Sequence, residues 1–141
     1  MILDLQSMFS DDQAITSSAA STNLIDLGAT GTPPLSSTAL VRDIGKGTPI
    51  EILIIVTVAH GGTSPTLVVT LQMDELAAFG SQTTIGTATE LAGAAVGDRA
   101  SIFFVPEGIT ERFIRLQYTV GGTSPTITVT AGFALGTQSN K

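Results

Sequence analysis

Ile50-Glu51-Ile52-Leu53-Ile54-Ile55-Val56-Thr57-Val58 and, shortly after it, Leu67-Val68-Val69-Thr70-Leu71-Gln72-Met73 decide the fold. Every even position of the first stretch is apolar, and so is every odd position of the second. That is the two-residue period of strands with one face turned to a core. The outward positions of the first stretch are mixed, Leu53 and Ile55 alternating with Glu51 and Thr57, so its second face is partly greasy. Between the two lies Gly61-Gly62-Thr63-Ser64-Pro65-Thr66, whose Gly-Gly and Ser-Pro pairs read as a hairpin turn.

The same six residues recur sixty positions later as Gly121-Gly122-Thr123-Ser124-Pro125-Thr126. Their flanks match in parity: Ile114, Leu116, Tyr118 and Val120 face inward before the repeat, and Ile127, Val129, Ala131, Phe133 and Leu135 after it. Two similar hairpins, one in each half of the domain, suit a double Greek-key sandwich. Further strands are expected at 23–27, 39–42, 83–89 and 99–105, with Gly31-Thr32-Pro33-Pro34 in a loop between the first two. Short helical turns are expected over Asp74 to Ser81 and at the capping-box pattern Ser10-Asp11-Asp12-Gln13. The expected architecture is all-β: a jelly-roll β-sandwich of about eight antiparallel strands over residues 23–141, preceded by an N-terminal arm over residues 1–22.

Composition agrees. A chain of 141 residues is long enough to bury roughly two-thirds of its unfolded surface without metal or disulfide staples. Charged residues make up 13%, about half the usual share, while 21 threonines and 15 glycines favour strands and turns over helices. The formal charge of −6 would repel a phosphate backbone, so nucleic acid is not an expected partner. With no cysteine there are no disulfides, thiolate nucleophiles or thiolate metal sites. Met1-Ile2-Leu3-Asp4 lacks the basic start of a secretory signal and no apolar run approaches the roughly 20 residues of a membrane span, so production in a cytoplasm without membrane association is expected.

The residues that carry chemistry elsewhere are sparse here. His60 is the only histidine, and by the sixty-residue offset it matches Val120, a position closing a strand end rather than one built for catalysis. Asp11-Asp12 and Asp74-Glu75 lack the spaced Asp/Asn/Gly pattern of a calcium loop. Gly45-Lys46-Gly47-Thr48 has Leu40 where a phosphate loop needs its first glycine. Glu111, Arg112 and Arg115 read as structural ion pairs. Neither catalytic residues nor a metal or cofactor are therefore expected. What stands out is apolar surface without an obvious cover: Ile2, Leu3, Leu5, Met8 and Phe9 in the arm, outward Leu53 and Ile55, and Phe113. Such patches mark association surfaces.

Three segments carry a resemblance: Met1-Ile2-Leu3-Asp4 through Asp11-Asp12-Gln13-Ala14-Ile15, then Arg42-Asp43-Ile44-Gly45-Lys46-Gly47, and Glu111 through Gly122. Together the chain resembles the Bbp16-like capsid cement proteins of tailed bacteriophages along its whole length. The resemblance implies a jelly-roll decoration protein on the outer surface of a phage head, clamping neighbouring major capsid protein subunits, and the expected state is a small homo-oligomer, dimer or trimer. A rival reading is a carbohydrate- or receptor-binding module displayed on a virion. It is weakened by the absence of tryptophan and by a single tyrosine, Tyr118, of inward parity.

Overall fold

The computed structural model describes residues 5–42, 47–104 and 107–134. After a single 3-10 turn, Leu5–Ser7, come strands β1 (Met8–Ile15), β2 (Ala19–Ala20), β3 (Ile25–Asp26), β4 (Ile50–Asp74), β5 (Thr83–Thr87), β6 (Leu91–Ala92), β7 (Arg99–Phe104) and β8 (Phe113–Ala134). All pairings are antiparallel, and all belong to one hydrogen-bonded sheet.

β4 and β8 organise everything else. They pair along their whole length, from Glu51↔Ala134 through Thr63↔Thr123 to Asp74↔Phe113, with register shifts confined to the stretch between Val56 and Thr66. The two Gly-Gly-Thr-Ser-Pro-Thr segments are therefore not hairpin turns, as the sequence suggested. They pair with each other at the middle of two long strands, where each strand kinks from one layer into the other. The pairs Gly61↔Thr126 and Thr66↔Gly121 exchange under the sixty-residue offset, and Thr63↔Thr123 maps onto itself. The repeat thus generates an internal pseudo-twofold axis.

Glycine is required at this crossing. Gly62 and Gly122 adopt φ of +99° and +95°, and a Cβ on Gly62 would lie 2.5 Å from the Thr123 carbonyl oxygen, one on Gly122 2.5 Å from that of Ser64. Ser64 and Ser124 share the left-handed backbone at φ 48° and 50°, so the two kinks are near copies.

On one side of the kink the strand order is β1, β8 (126–134), β4 (50–58), β7, and on the other it is β2 with β3, β8 (113–120), β4 (66–74), β5 with β6. Counting eight strand segments along the chain, first pairs with eighth, second with seventh, third with sixth and fourth with fifth. This nested pairing, folded into two four-stranded layers, is the jelly-roll connectivity.

One core fills the space between the layers. Ile52, Ile54, Val56, Ile102 and Val129 come from the first and Leu67, Val69, Leu71, Ile114, Leu116 and Tyr118 from the second, all nearly inaccessible. The parity expected of β4 and β8 therefore holds, except that Val58 is 56% exposed at the kink; Leu135 lies outside the described residues. A buried polar bond also ties the layers together. Ser10 Oγ donates to Gln13 Oε1 at 2.7 Å, which leaves the Tyr118 hydroxyl to donate to Ser10 Oγ at 2.7 Å.

Several local expectations are corrected. Residues 8–15 form edge strand β1, and β2 and β3 flank β8, so the segment expected to be an arm supplies edges to both layers. The capping-box pair Ser10 and Gln13 is bonded, but across a bulge in β1 rather than in a helical turn. Residues 75–82 form turns without a helix, and 39–42 form no strand.

Candidate association surface

The kink at Thr63/Thr123 defines one end of the sandwich. Opposite it lies an open end, where the row Asp26–Phe113–Asp74 terminates the second layer and Phe103–Glu51–Ala134 the first. The loop over 28–42 leaves β3 at this end, and the turn over 75–82 leaves β4 there. These two segments carry Leu35, Val41, Leu76 and Leu40, with relative exposures of 108%, 76%, 66% and 57%. Leu24 and Phe103, also exposed, lie toward the same end. Six large apolar side chains thus face solvent at one end of the molecule, which is the pattern of an association surface.

Both segments are pinned from below. Arg42 reaches back so that its guanidinium donates to the Leu27 carbonyl at 2.9 Å and to that of Gly28, while the Leu40 amide donates to Gly31 O at 2.9 Å. At the base of the loop the Arg112 guanidinium donates to both Asp26 oxygens, at 2.7 and 2.6 Å. This bidentate bond, reinforced by the Gly28 amide, holds the Asp26 carboxyl down at about 2. The Asp74 carboxylate accepts the Leu76 and Ser81 amides, both at 2.8 Å, closing the turn that presents Leu76; these bonds lower its pKa. The Arg115 guanidinium lies 4.1 Å from the centroid of the Phe79 ring beneath the same turn. Arg112 forms the ion pair expected of it, whereas Arg115 is held by the Phe79 ring and by donating to Gln72 Oε1 at 3.1 Å, and Glu111 accepts the Thr110 hydroxyl.

The residues expected to form contacts are placed differently. Met8 (8% exposed), Phe9 (0%) and Leu53 (2%) are buried within this chain, so none of them is free surface. Phe9 packs its ring 5.5 Å from Phe133, which sits 5.7 Å from Phe104. Leu53 has outward parity, in a row with Gly132 and Met8, and it is buried there although it stands outside the main core cluster. Ile55 and Phe113 are half-buried. Ile2 and Leu3 lie outside the described residues, and Leu5 enters only through its backbone.

Leu35, Leu40, Val41 and Leu76 were not singled out by sequence. Leu35 and Leu76 are apolar residues inside segments read as loop or turn, Leu35 following Pro33-Pro34 directly, whereas Leu40 and Val41 fall in the segment 39–42 expected to be a strand.

His60 is half-buried beside the kink, and burial lowers its pKa. The Asp12 carboxylate faces Thr130, and among the described residues no three His, Asp or Glu side chains gather as a metal site. No helix among those residues is long and apolar enough to cross a membrane. Between the edges β5 and β7, Leu71, Ile85, Phe104 and Ile109 line a cavity of about 190 Å³, smaller than the roughly 300–1,000 Å³ usual for ligand sites. A family model described as Bbp16 matches residues 9–134, and no curated protein matches the chain.

Proposed function

We propose, from the premise that this chain belongs to the Bbp16 family, that it is a capsid cement protein, seated on the outer surface of a phage head and bridging major capsid protein subunits. The observation that carries the reading is the pinned, apolar open end. A cement protein needs surface that buries well against a larger neighbour and is already ordered, so that little conformational freedom is lost on docking. Leu35, Leu40, Val41 and Leu76 supply the apolar area, and the Arg42, Arg112–Asp26 and Asp74 contacts supply the order. The shell offers many equivalent sites, so a small homo-oligomer with one such end per subunit gains by multivalency what a single contact lacks.

The rival, a glycan- or receptor-binding module, is given less by the surface. Tyr118 is fully buried, and among the described residues Phe103 is the one large ring well exposed. The test is a heat-stability measurement on heads assembled without this protein, before and after adding it back. Cement predicts that the heads gain thermal stability and that the protein co-sediments with them. Heads that neither bind it nor change their melting behaviour refute the reading, and specific binding on a glycan array would favour the rival.

A further inference from the structure

The edge of β4 between its layers is covered by neither β7, which pairs with 50–55, nor β6, which pairs with 66–67. A strap over residues 93–98 fills the gap. Its Gly97 amide donates to Val56 O at 2.8 Å, Val56 N donates to Asp98 O at 2.9 Å, and Gly93 N donates to Pro65 O at 3.0 Å. At its centre His60 N donates to Ala94 O at 2.9 Å, and the Ala94 amide donates to His60 Nδ1 at 3.0 Å. Only a ring unprotonated at Nδ1 can accept that bond, so the proton sits on Nε2, which is buried without a hydrogen-bond partner among the described residues. On the pseudo-symmetric side, Ser21 N donates to Leu116 O at 2.8 Å, the Leu116 and Val120 amides donate to the Ser21 and Ser18 hydroxyls, and Val120 stands in the place of the histidine, so that side has no titratable member.

We propose that His60 is a proton-operated latch: the neutral ring holds the strap on β4, and protonation of Nδ1 releases it. A proton on Nδ1 turns the acceptor into a donor facing the Ala94 amide and places a charge where, among the described residues, no carboxylate bonds to the ring. The strap's one charged side chain, Asp98, accepts the Ala95 amide at 2.8 Å. Neither β6 nor the facing stretch of β8, 121–128, carries an ionisable group, and Glu90 and Arg99 flank the strap segment outside it. Burial favours the neutral ring, so the folded chain binds this proton less readily than the unfolded chain does. Stability falls as pH drops below the unfolded value of 6.5 and levels off below the folded one. Release would bare the β4 edge over 56–60, where Val58 is already exposed, as is Val96 on the strap itself.

The test is residue-resolved amide exchange on the full chain at about pH 7.5 and about pH 4.5, corrected for intrinsic exchange, with ring 15N shifts recorded alongside. The latch predicts an Nε2–H tautomer at high pH and at least about a tenfold loss of protection at Ala94 and Gly97 on acidification, while Val69 and Val129 stay protected. In His60→Asn the amide oxygen keeps an acceptor that does not titrate, so the strap should be equally protected at both pH values. Overturning results are an Nδ1–H tautomer, unchanged protection in the native chain, or a His60→Asn strap that still loosens in acid.

Discussion

Replacing Gly122 by alanine tests the central crossing. The native φ of +95° lies in the left-handed region, which costs a residue with a Cβ about 1–2 kcal/mol. The new Cβ would also lie 2.5, 2.7 and 2.9 Å from Ser64 O, Thr63 O and Ser64 C, which are backbone atoms of the opposing kink and cannot rotate away. Relieving that overlap means moving β4 where it changes layers, so the total loss should be about 2–4 kcal/mol. Gly28→Ala is the control: φ is +85° but no atom lies within 4 Å of the added Cβ, so only the backbone term remains. Urea unfolding of both variants and the native chain gives the difference. Because the kinks oppose each other, Gly62→Ala should lose about as much as Gly122→Ala, and the double variant should depart from additivity. If Gly122→Ala is no less stable than Gly28→Ala, the two repeats do not cross as described, and the hairpin reading returns.

Tyr118 is the only tyrosine and the chain has no tryptophan, so its phenolate absorbance is unobscured. Burial pushes its pKa up to about 12 from 10.0, and stability should hold below pH 10, fall as pH rises from 10 toward 12 and then level; a phenolate appearing near pH 10 in the folded chain would refute its burial. Leu53→Ala should lose about 2–5 kcal/mol by calorimetry while Leu35→Ala stays within about 0.5 kcal/mol of the native chain. Equal losses at the two positions would contradict the assignment of Leu53 to the interior and Leu35 to the surface.

Strand parity was legible in the sequence because it is a local property. Ile52, Val69 and Tyr118 all face where alternation puts them. The role of the repeats was not legible, because Gly-Gly and Ser-Pro favour a chain reversal and also suit a kinked strand. The choice between the two is made by pairing across sixty residues, which no window along the chain contains. The first segment was misjudged for a related reason. Phe9 needed apolar cover, and Phe133 of β8 supplies it from the other end of the chain. Exposed apolar residues were expected, but their position depends on which loops the topology gathers. Loop 28–42 and turn 75–82 leave the sheet at one end because β3 and β4 both terminate there. The offset put His60 at a strand end, whereas it lies inside β4 at the kink, and its bond to Ala94 depends on a strap that carries no motif.

The most direct test is decoration of heads lacking this protein by a variant carrying Leu35→Asp, Leu40→Asp and Val41→Asp, compared with the native chain by titration and co-sedimentation. All three side chains are exposed, so the variant should unfold at the native denaturant midpoint yet bind heads at least about tenfold more weakly, a loss of about 1.4 kcal/mol per site. A variant that is equally stable and decorates with native affinity would show that the open end is not what meets the shell.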